Sequence, residues 1–488
     1  MRLASSRIAS RLAWCLPAAL LSLAGCGGAG NEASPPATPP VAVADAPESQ
    51  APGKAPAPSG GKLGESVTPV REVDTSKVVD VVKEEIKGGE ATAAVPTSID
   101  HLWAMPDSSK IAPAEVVAIT PPKGLGPITA LIPAANPMTQ AKLDLGKQLY
   151  FDARISKDTT VSCATCHNPE KAWTDNLPTS VGILGQVGGR NAPTVLNTVY
   201  GKTMFWDGRA PSLEGQAQGP PQNKIEMGDQ SYGEIVNRLR TIPSYREQFQ
   251  KVFGTDVTLD GVAKAIATFE RTAFSGNSPY DRYNLASKDE SPEDLKALTD
   301  SQKRGMVLFG LRLNADDEFK PEVTLKKANC TSCHIGANFT DEQFHNLGVG
   351  FDVATNKFAD IGRFEIAPVG AKNPAEQGAF KTPSLRDIER TFPYMHDGKE
   401  KTLVDVVEYY DRGGNANPWI DKDMKKLGLT PQEKQDLVEF MKALNGEIIK
   451  VELPTLPPGP DGKAPNPRDA LTPPSPKTAL GDVHAPVR

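Results

Sequence analysis

Aromatic residues make up only 6% of the 488-residue sequence, and basic residues do not outnumber acidic ones, the net charge being −6. A nucleic-acid binder would present a basic face, so this balance argues against that class. The most apolar stretch near the N-terminus, Leu12 to Leu23, is broken by Pro17 and Ser22 and is too short for a comfortable membrane span. Sustained period-2 alternation is missing, which removes the signature of half-buried strands. Cysteine is scarce: there are six, and their placement leaves none over for a disulfide. In plentiful supply are 44 prolines and 42 glycines, which imply long loops or tails.

The N-terminus reads as a targeting segment. Arg2, Arg7 and Arg11 form a basic region, the apolar stretch follows, and Leu23-Ala24-Gly25-Cys26 looks like a bacterial lipobox. An ordinary signal peptide with a chance cysteine is the rival reading. On the lipobox reading residues 1–26 are a lipoprotein signal peptide. Cys15 leaves with it, and Cys26 anchors the chain to a membrane on the periplasmic side. Residues 27–70, rich in Pro, Ala, Gly and Ser, cannot bury enough surface to offset their ordering entropy and are expected to form a flexible tether. Residues 71–130 are an uncertain lead-in, with a short helix expected at Val79–Ile86. The Pro-rich tail, 451–488, is expected to be disordered or extended on the surface.

Between the tails the legible elements are helices. Ser231 and Glu234 form a capping box ahead of Ile235 and Leu239. Val262, Ile266, Phe269 and Ala273 recur at helical spacing. Thr402 and Asp405 open a helix whose apolar side carries Leu403, Val406, Val407 and Tyr410. Thr430-Pro431 with Glu433 starts another, carrying Leu437, Val438 and Met441. The expected class is mainly α with long functional loops.

The remaining four cysteines make two C-x-x-C-H motifs, Cys163-Ala-Thr-Cys166-His167 and Cys330-Thr-Ser-Cys333-His334. That spacing suits covalent c-type haem: two thiols a helical turn apart meet the porphyrin vinyl groups, and the histidine falls beneath the iron. A zinc site would gather four ligands from neighbouring pairs, whereas these pairs lie far apart in the chain. A redox dithiol does not need the histidine. Two haem c groups are therefore expected, in cytochrome c-like domains spanning 131–290 and 291–450.

From about Ala134 to Gly446 the sequence resembles the bacterial dihaem cytochrome c peroxidases and the related MauG proteins. The resemblance is carried by Leu149-Tyr-Phe-Asp-Ala-Arg154, both haem motifs, Gly189-Arg-Asn-Ala-Pro-Thr194 and Phe205-Trp-Asp-Gly-Arg209. Gln216, Gly219-Pro220, Ile225-Glu-Met-Gly228 and Thr391-Phe-Pro-Tyr-Met-His396 continue it in the same order. It implies that the His167 haem is peroxidatic, with Glu226, Gln216 and Pro220 lining its distal pocket and Glu226 moving a proton during O–O cleavage. It implies that Trp206 relays electrons between the haems. It further implies a calcium ion near Asn191, Thr391 and Pro393, whose oxygens suit a hard cation.

Two departures stand out. Many family members carry a histidine in the loop matching Ser180–Gly189, where it caps the resting iron. Here the position is Ile183, and no histidine lies between His167 and His334. A five-coordinate or water-bound first haem is expected. At the second haem the usual methionine ligand is replaced by Tyr410, as in MauG. Tyr410 shares the inward face of Leu403 and Val407, while Tyr409 is rotated by about 100°. Met395 and Met441 are the fallback ligands. A phenolate favours oxidised iron, so the expected activity is reaction with hydrogen peroxide followed by sharing of high-valent oxidising equivalents between both haems. The final target is an unidentified electron donor or protein side chain. The competing reading is a non-catalytic dihaem electron-transfer protein.

Overall fold

Two helix pairs cross in the same way, and each builds one of the two main cores. The computed structural model describes residues 115–228, 230–368 and 371–476. The lipobox, the tether and the helix expected at Val79–Ile86 lie outside the described residues.

In chain order the helices are α1 (Gln140–Phe151), α2 (Cys163–Cys166), α3 (Leu213–Gln216), α4 (Gly219–Gln222), α5 (Tyr232–Arg240) and α6 (Pro243–Phe253). They continue with α7 (Leu259–Glu270), α8 (Pro279–Asn284), α9 (Asp300–Phe309), α10 (Arg363–Ile366), α11 (Leu403–Asp411) and α12 (Pro431–Lys442). The expected capping boxes begin α5, α11 and α12, each with a Ser or Thr side chain accepting from the backbone of an acidic residue three positions on. Strands are confined, among the described residues, to short antiparallel pairs. They are β1 (Ser275–Gly276) with β6 (Glu447–Ile448), β2 (Phe344–Asn346) with β5 (Ala379–Lys381), and β3 (Phe351–Asp352) with β4 (Lys357–Phe358). Strands of two or three residues are too short to print a period-2 pattern. The mainly α expectation stands.

The first core joins α1 to α7. Gly146 lies so close to the Ala265 carbonyl and Phe269 that an added Cβ would overlap them. The second joins α9 to α12, where Gly305 meets the Asp436 carbonyl and Phe440 in the same arrangement. Glycine permits this approach of helix backbones. An edge-to-face aromatic pair seals each crossing: Tyr150–Phe269 at 5.1 Å and Phe309–Phe440 at 5.2 Å between ring centroids.

Two features refine the expectations. Tyr280 and Tyr283, which precede the boundary expected at 290, pack into the second core. The Ser278–Asp281 capping box starts α8 there, and Tyr280 meets Phe339 and Phe440. The second concerns the C-terminal tail, of which residues 451–476 follow the extended alternative and lie against the first core: Leu456 and Leu471 are buried, and Val451 and Leu453 pack beside them. Thr165 Oγ1 on α2 donates to the Ala470 carbonyl at 2.7 Å, and Arg154 Nη2 donates to the Pro457 carbonyl at 3.0 Å. Proline restricts the unfolded chain, so such a strap loses less entropy on docking than its composition suggests. A few well-spaced leucines suffice to hold it.

Candidate active site

The four motif cysteines are free and half-buried, as thioether attachment requires and a disulfide scaffold does not. Cys166, Cys330 and Cys333 line one cavity of about 760 Å³, and His167 and His334 line it too. The two histidines are held differently. His334 Nδ1 makes a 2.9 Å hydrogen bond with the Phe339 carbonyl, leaving Nε2 for an axial ligand role. His167 Nδ1 is buried without a hydrogen-bond partner, and Tyr150 OH instead anchors the His167 backbone carbonyl at 2.9 Å. Burial depresses both imidazole pKa values, which favours the neutral ligating form. Unpaired cysteines, neutral buried histidines and a large cavity fit two covalently attached haems.

Glu226, Gln216, Pro220 and Trp206 all line the same cavity together with Cys166 and His167. Gln216 ends α3, Pro220 lies in α4, and Glu226 follows in the loop. Asn223 Nδ2 donates to Glu226 Oε1 at 2.9 Å, fixing one carboxylate oxygen. Burial raises the Glu226 pKa, and the Arg209 guanidinium opposes that rise. Arg209 itself stacks at 3.5 Å on Phe205 and pairs with Asp207 at 2.9 Å. Ile183 is buried in the first core, and its N–H donates to the Glu226 carbonyl at 3.1 Å. The loop that would carry a capping histidine is thus pinned down by an aliphatic side chain.

Trp206 lies where the two halves meet. Its Nε1 donates to the Asn191 carbonyl at 2.9 Å, and its own carbonyl accepts from Lys381 N on β5 at 2.8 Å. Arg190 spans the same junction through Asp207 at 2.6 Å and Asp360 at 2.7 Å. Asn191, Thr391 and Pro393 line the cavity too, and the Asn191 N–H donates to the His396 carbonyl at 2.8 Å. Three chain segments are thereby drawn together at that wall.

Tyr410 lines the cavity next to the second motif, and Cys330 and Cys333 act on its ionisation electrostatically. Burial pushes its hydroxyl pKa well up, so a phenolate there would need a cation to balance it. Tyr409 points elsewhere: its OH donates to the Leu347 carbonyl at 3.0 Å, and Arg412 stacks on its ring. Met441 and Met395, the fallback ligands, also border the cavity.

Sequence reasoning missed Asn223, Arg190, Lys381 and Glu270. The last had a legible warning, a carboxylate four residues after Ile266 on an otherwise apolar helix face.

Comparison with known proteins defines the class. The sequence model described as "Di-haem cytochrome c peroxidase" matches residues 140–290. The methylamine utilization protein MauG of Methylorubrum extorquens is 40% identical over 327 residues, 67% of this chain and 84% of that protein. The cytochrome c551 peroxidase of Nitrosomonas europaea is 37% identical, over 67% of this chain and 86% of its own. Among solved structures, a MauG-like protein associated with microbial copper homeostasis superposes with a TM-score of 0.56 at 31% identity. That match covers 68% of this chain and 94% of the other. Fold and relatives define a haem c-dependent oxidoreductase of the peroxidase class. The chain belongs to the dihaem cytochrome c peroxidase/MauG family.

Proposed function

We propose that this protein reduces hydrogen peroxide at its first haem and shares the resulting oxidising equivalents with a second haem closed by Tyr410. A donor protein or a target side chain is then oxidised. The observation that carries this reading is the asymmetry of the cavity walls. Near His167 the wall offers a carboxylate, an amide and aliphatic groups; near His334 it offers a phenol. The haems, when bound, supply iron-centred oxidation driven by peroxide.

The chain's own residues do the rest. His167 and His334 would serve as axial ligands, with the Cys163/Cys166 and Cys330/Cys333 thioethers fixing each porphyrin. Glu226 moves a proton from one peroxide oxygen to the other, making water the leaving group. Asn223 holds Oε1 of that carboxylate, so Oε2 remains to handle the proton. Gln216 orients the peroxide, while Pro220 limits water. Trp206, tied to Asn191 and to β5, links the two sites. Oxygens of Asn191, Thr391 and Pro393 would hold calcium beside that link. Cys26 would bear lipid and hold the enzyme at a membrane on the periplasmic side.

The test is an EPR and optical spectrum of the ferric protein, followed by stopped-flow mixing with peroxide. One high-spin and one low-spin haem with a fast peroxide reaction is the expected result. Two low-spin haems that ignore peroxide would make this an electron carrier instead.

A further inference from the structure

The matched helix crossings put one residue of each half in an equivalent place. Gly146 with Ala265 and Phe269 superposes in role on Gly305 with Asp436 and Phe440. The next residue is Glu270 in the first half and Met441 in the second, and both line the haem cavity. Where the second site presents a thioether, the first presents a carboxyl group.

That carboxyl is buried, and its Oε2 has no hydrogen-bond partner. The groups facing it come from several elements: Tyr150 of α1, Cys163 of α2, Glu214 of α3, and Arg271 at the end of its own helix. Arg271, the one cation among these, is committed to Glu214, donating from Nη2 to both carboxylate oxygens at 2.8 and 3.0 Å. Tyr150 is engaged with the His167 carbonyl. Burial pushes the Glu270 carboxyl up to about 8, Arg271 opposing and Glu214 adding to the rise, so at neutral pH it holds its proton. A buried acid left unpaired is costly to stability, and nothing in the packing of the first core needs an acid there, since the second core manages with methionine.

We propose that Glu270 is the redox-linked proton group of the first haem site. When an external oxidant removes one electron from that haem, the Glu270 carboxyl releases one proton to solvent, and the carboxylate offsets the positive charge gained. The inference rests on the two-haem reading above, and haem content tests that reading separately. Burial and nearby charge are the levers by which a protein sets a haem potential. The sign follows: a carboxylate beside the haem stabilises the oxidised form, so the first haem's reduction potential falls as pH rises through the titration of Glu270.

The experiment is a potentiometric titration of the purified dihaem protein at a series of pH values between 6 and 9, alongside Glu270→Gln. Wild type should show the falling potential, and the variant should lose most of that pH dependence at the first haem while the second is unchanged. Redox-induced infrared difference spectra of the wild-type protein provide a second readout. Oxidation should remove a protonated-carboxyl C=O band that Glu270→Gln lacks. Equal pH dependence in both proteins, or no carboxyl band in the wild type, overturns the proposal. If the glutamine variant fails to mature, the wild-type infrared spectrum decides alone. Protein that carries no haem overturns this proposal together with the two-haem reading, and a haem stain identifies that case.

Discussion

The two halves share a frame and differ in what fills it. Each has a glycine-mediated crossing of two helices, an aromatic pair at the crossing and a C-x-x-C-H motif on the cavity. On that frame the first half sets Glu226, Gln216, Ile183 and Glu270, and the second sets Tyr410 and Met441. Backbone packing therefore fixes where a haem would be held, and a handful of side chains decide what each site does.

The largest effect should come from removing the carboxylate proposed to handle the proton, which the second half lacks. Glu226→Gln keeps the shape and the contact with Asn223 but cannot accept a proton, and its peroxide reaction should slow by about 100-fold or more, read by stopped-flow. The wild-type rate should fall with decreasing pH, because the carboxylate is the active form and is lost as pH drops through its pKa. Burial raises that pKa, so the loss begins at a higher pH than for a solvated glutamate. The glutamine variant should show no such dependence. A variant as fast as wild type would dissolve the contrast between the sites.

Next is the face of the second site that Tyr410 is proposed to close. Tyr410→Phe should convert the low-spin haem signal to high-spin while leaving the first haem untouched, so that the two sites become spectroscopically alike. Tyr409→Phe should change neither, because its hydroxyl is spent on the Leu347 carbonyl. An unaltered low-spin signal in Tyr410→Phe, or its loss only in a Met441 variant, would move the ligand to another residue.

The shared frame offers a smaller, symmetrical effect. Gly146→Ala and Gly305→Ala each place a methyl against a helix carbonyl, and each should cost about 1–3 kcal/mol through forced separation of the helices. Thermal unfolding of the two variants should give similar losses. If only one is destabilised, the halves are not built on the same crossing.

Much of this was readable from the chain alone, and the parts that were not share a cause. Helix starts were legible because a cap is a local event: Ser231 with Glu234, or Thr430 with Glu433, needs nothing beyond four residues. The haem motifs are equally local, and helical phase separated Tyr410 from Tyr409. What escaped depends on distant partners. The strap's leucines sit among prolines with no period, and their burial depends on a groove made some 300 residues earlier in the chain. Arg190 acquires meaning only when Asp207 and Asp360 meet it from two segments. Glu270 stands on the apolar face of its helix, and it acquires meaning only from the cavity that distant segments close around it.

The strap supplies the smallest effect and the most local break in the symmetry. It crosses only the first motif: Thr165, between Cys163 and Cys166, donates to Ala470, and Asn168 donates to the Leu471 carbonyl at 3.4 Å. Thr165→Val conserves volume but leaves the buried Ala470 carbonyl without its donor and the buried Ser162 N–H without its acceptor, which together should cost about 1–2 kcal/mol. The outer ion pair of the strap, Arg468 with Glu170 at 3.3 Å, is exposed on both sides, and Arg468→Ala should leave stability unchanged within error. Hydrogen exchange separates local from global weakening: in Thr165→Val, amides of 163–168 should lose protection while those of 330–335 keep theirs. Equal loss at both motifs would mean that the strap stabilises the whole protein rather than one haem site.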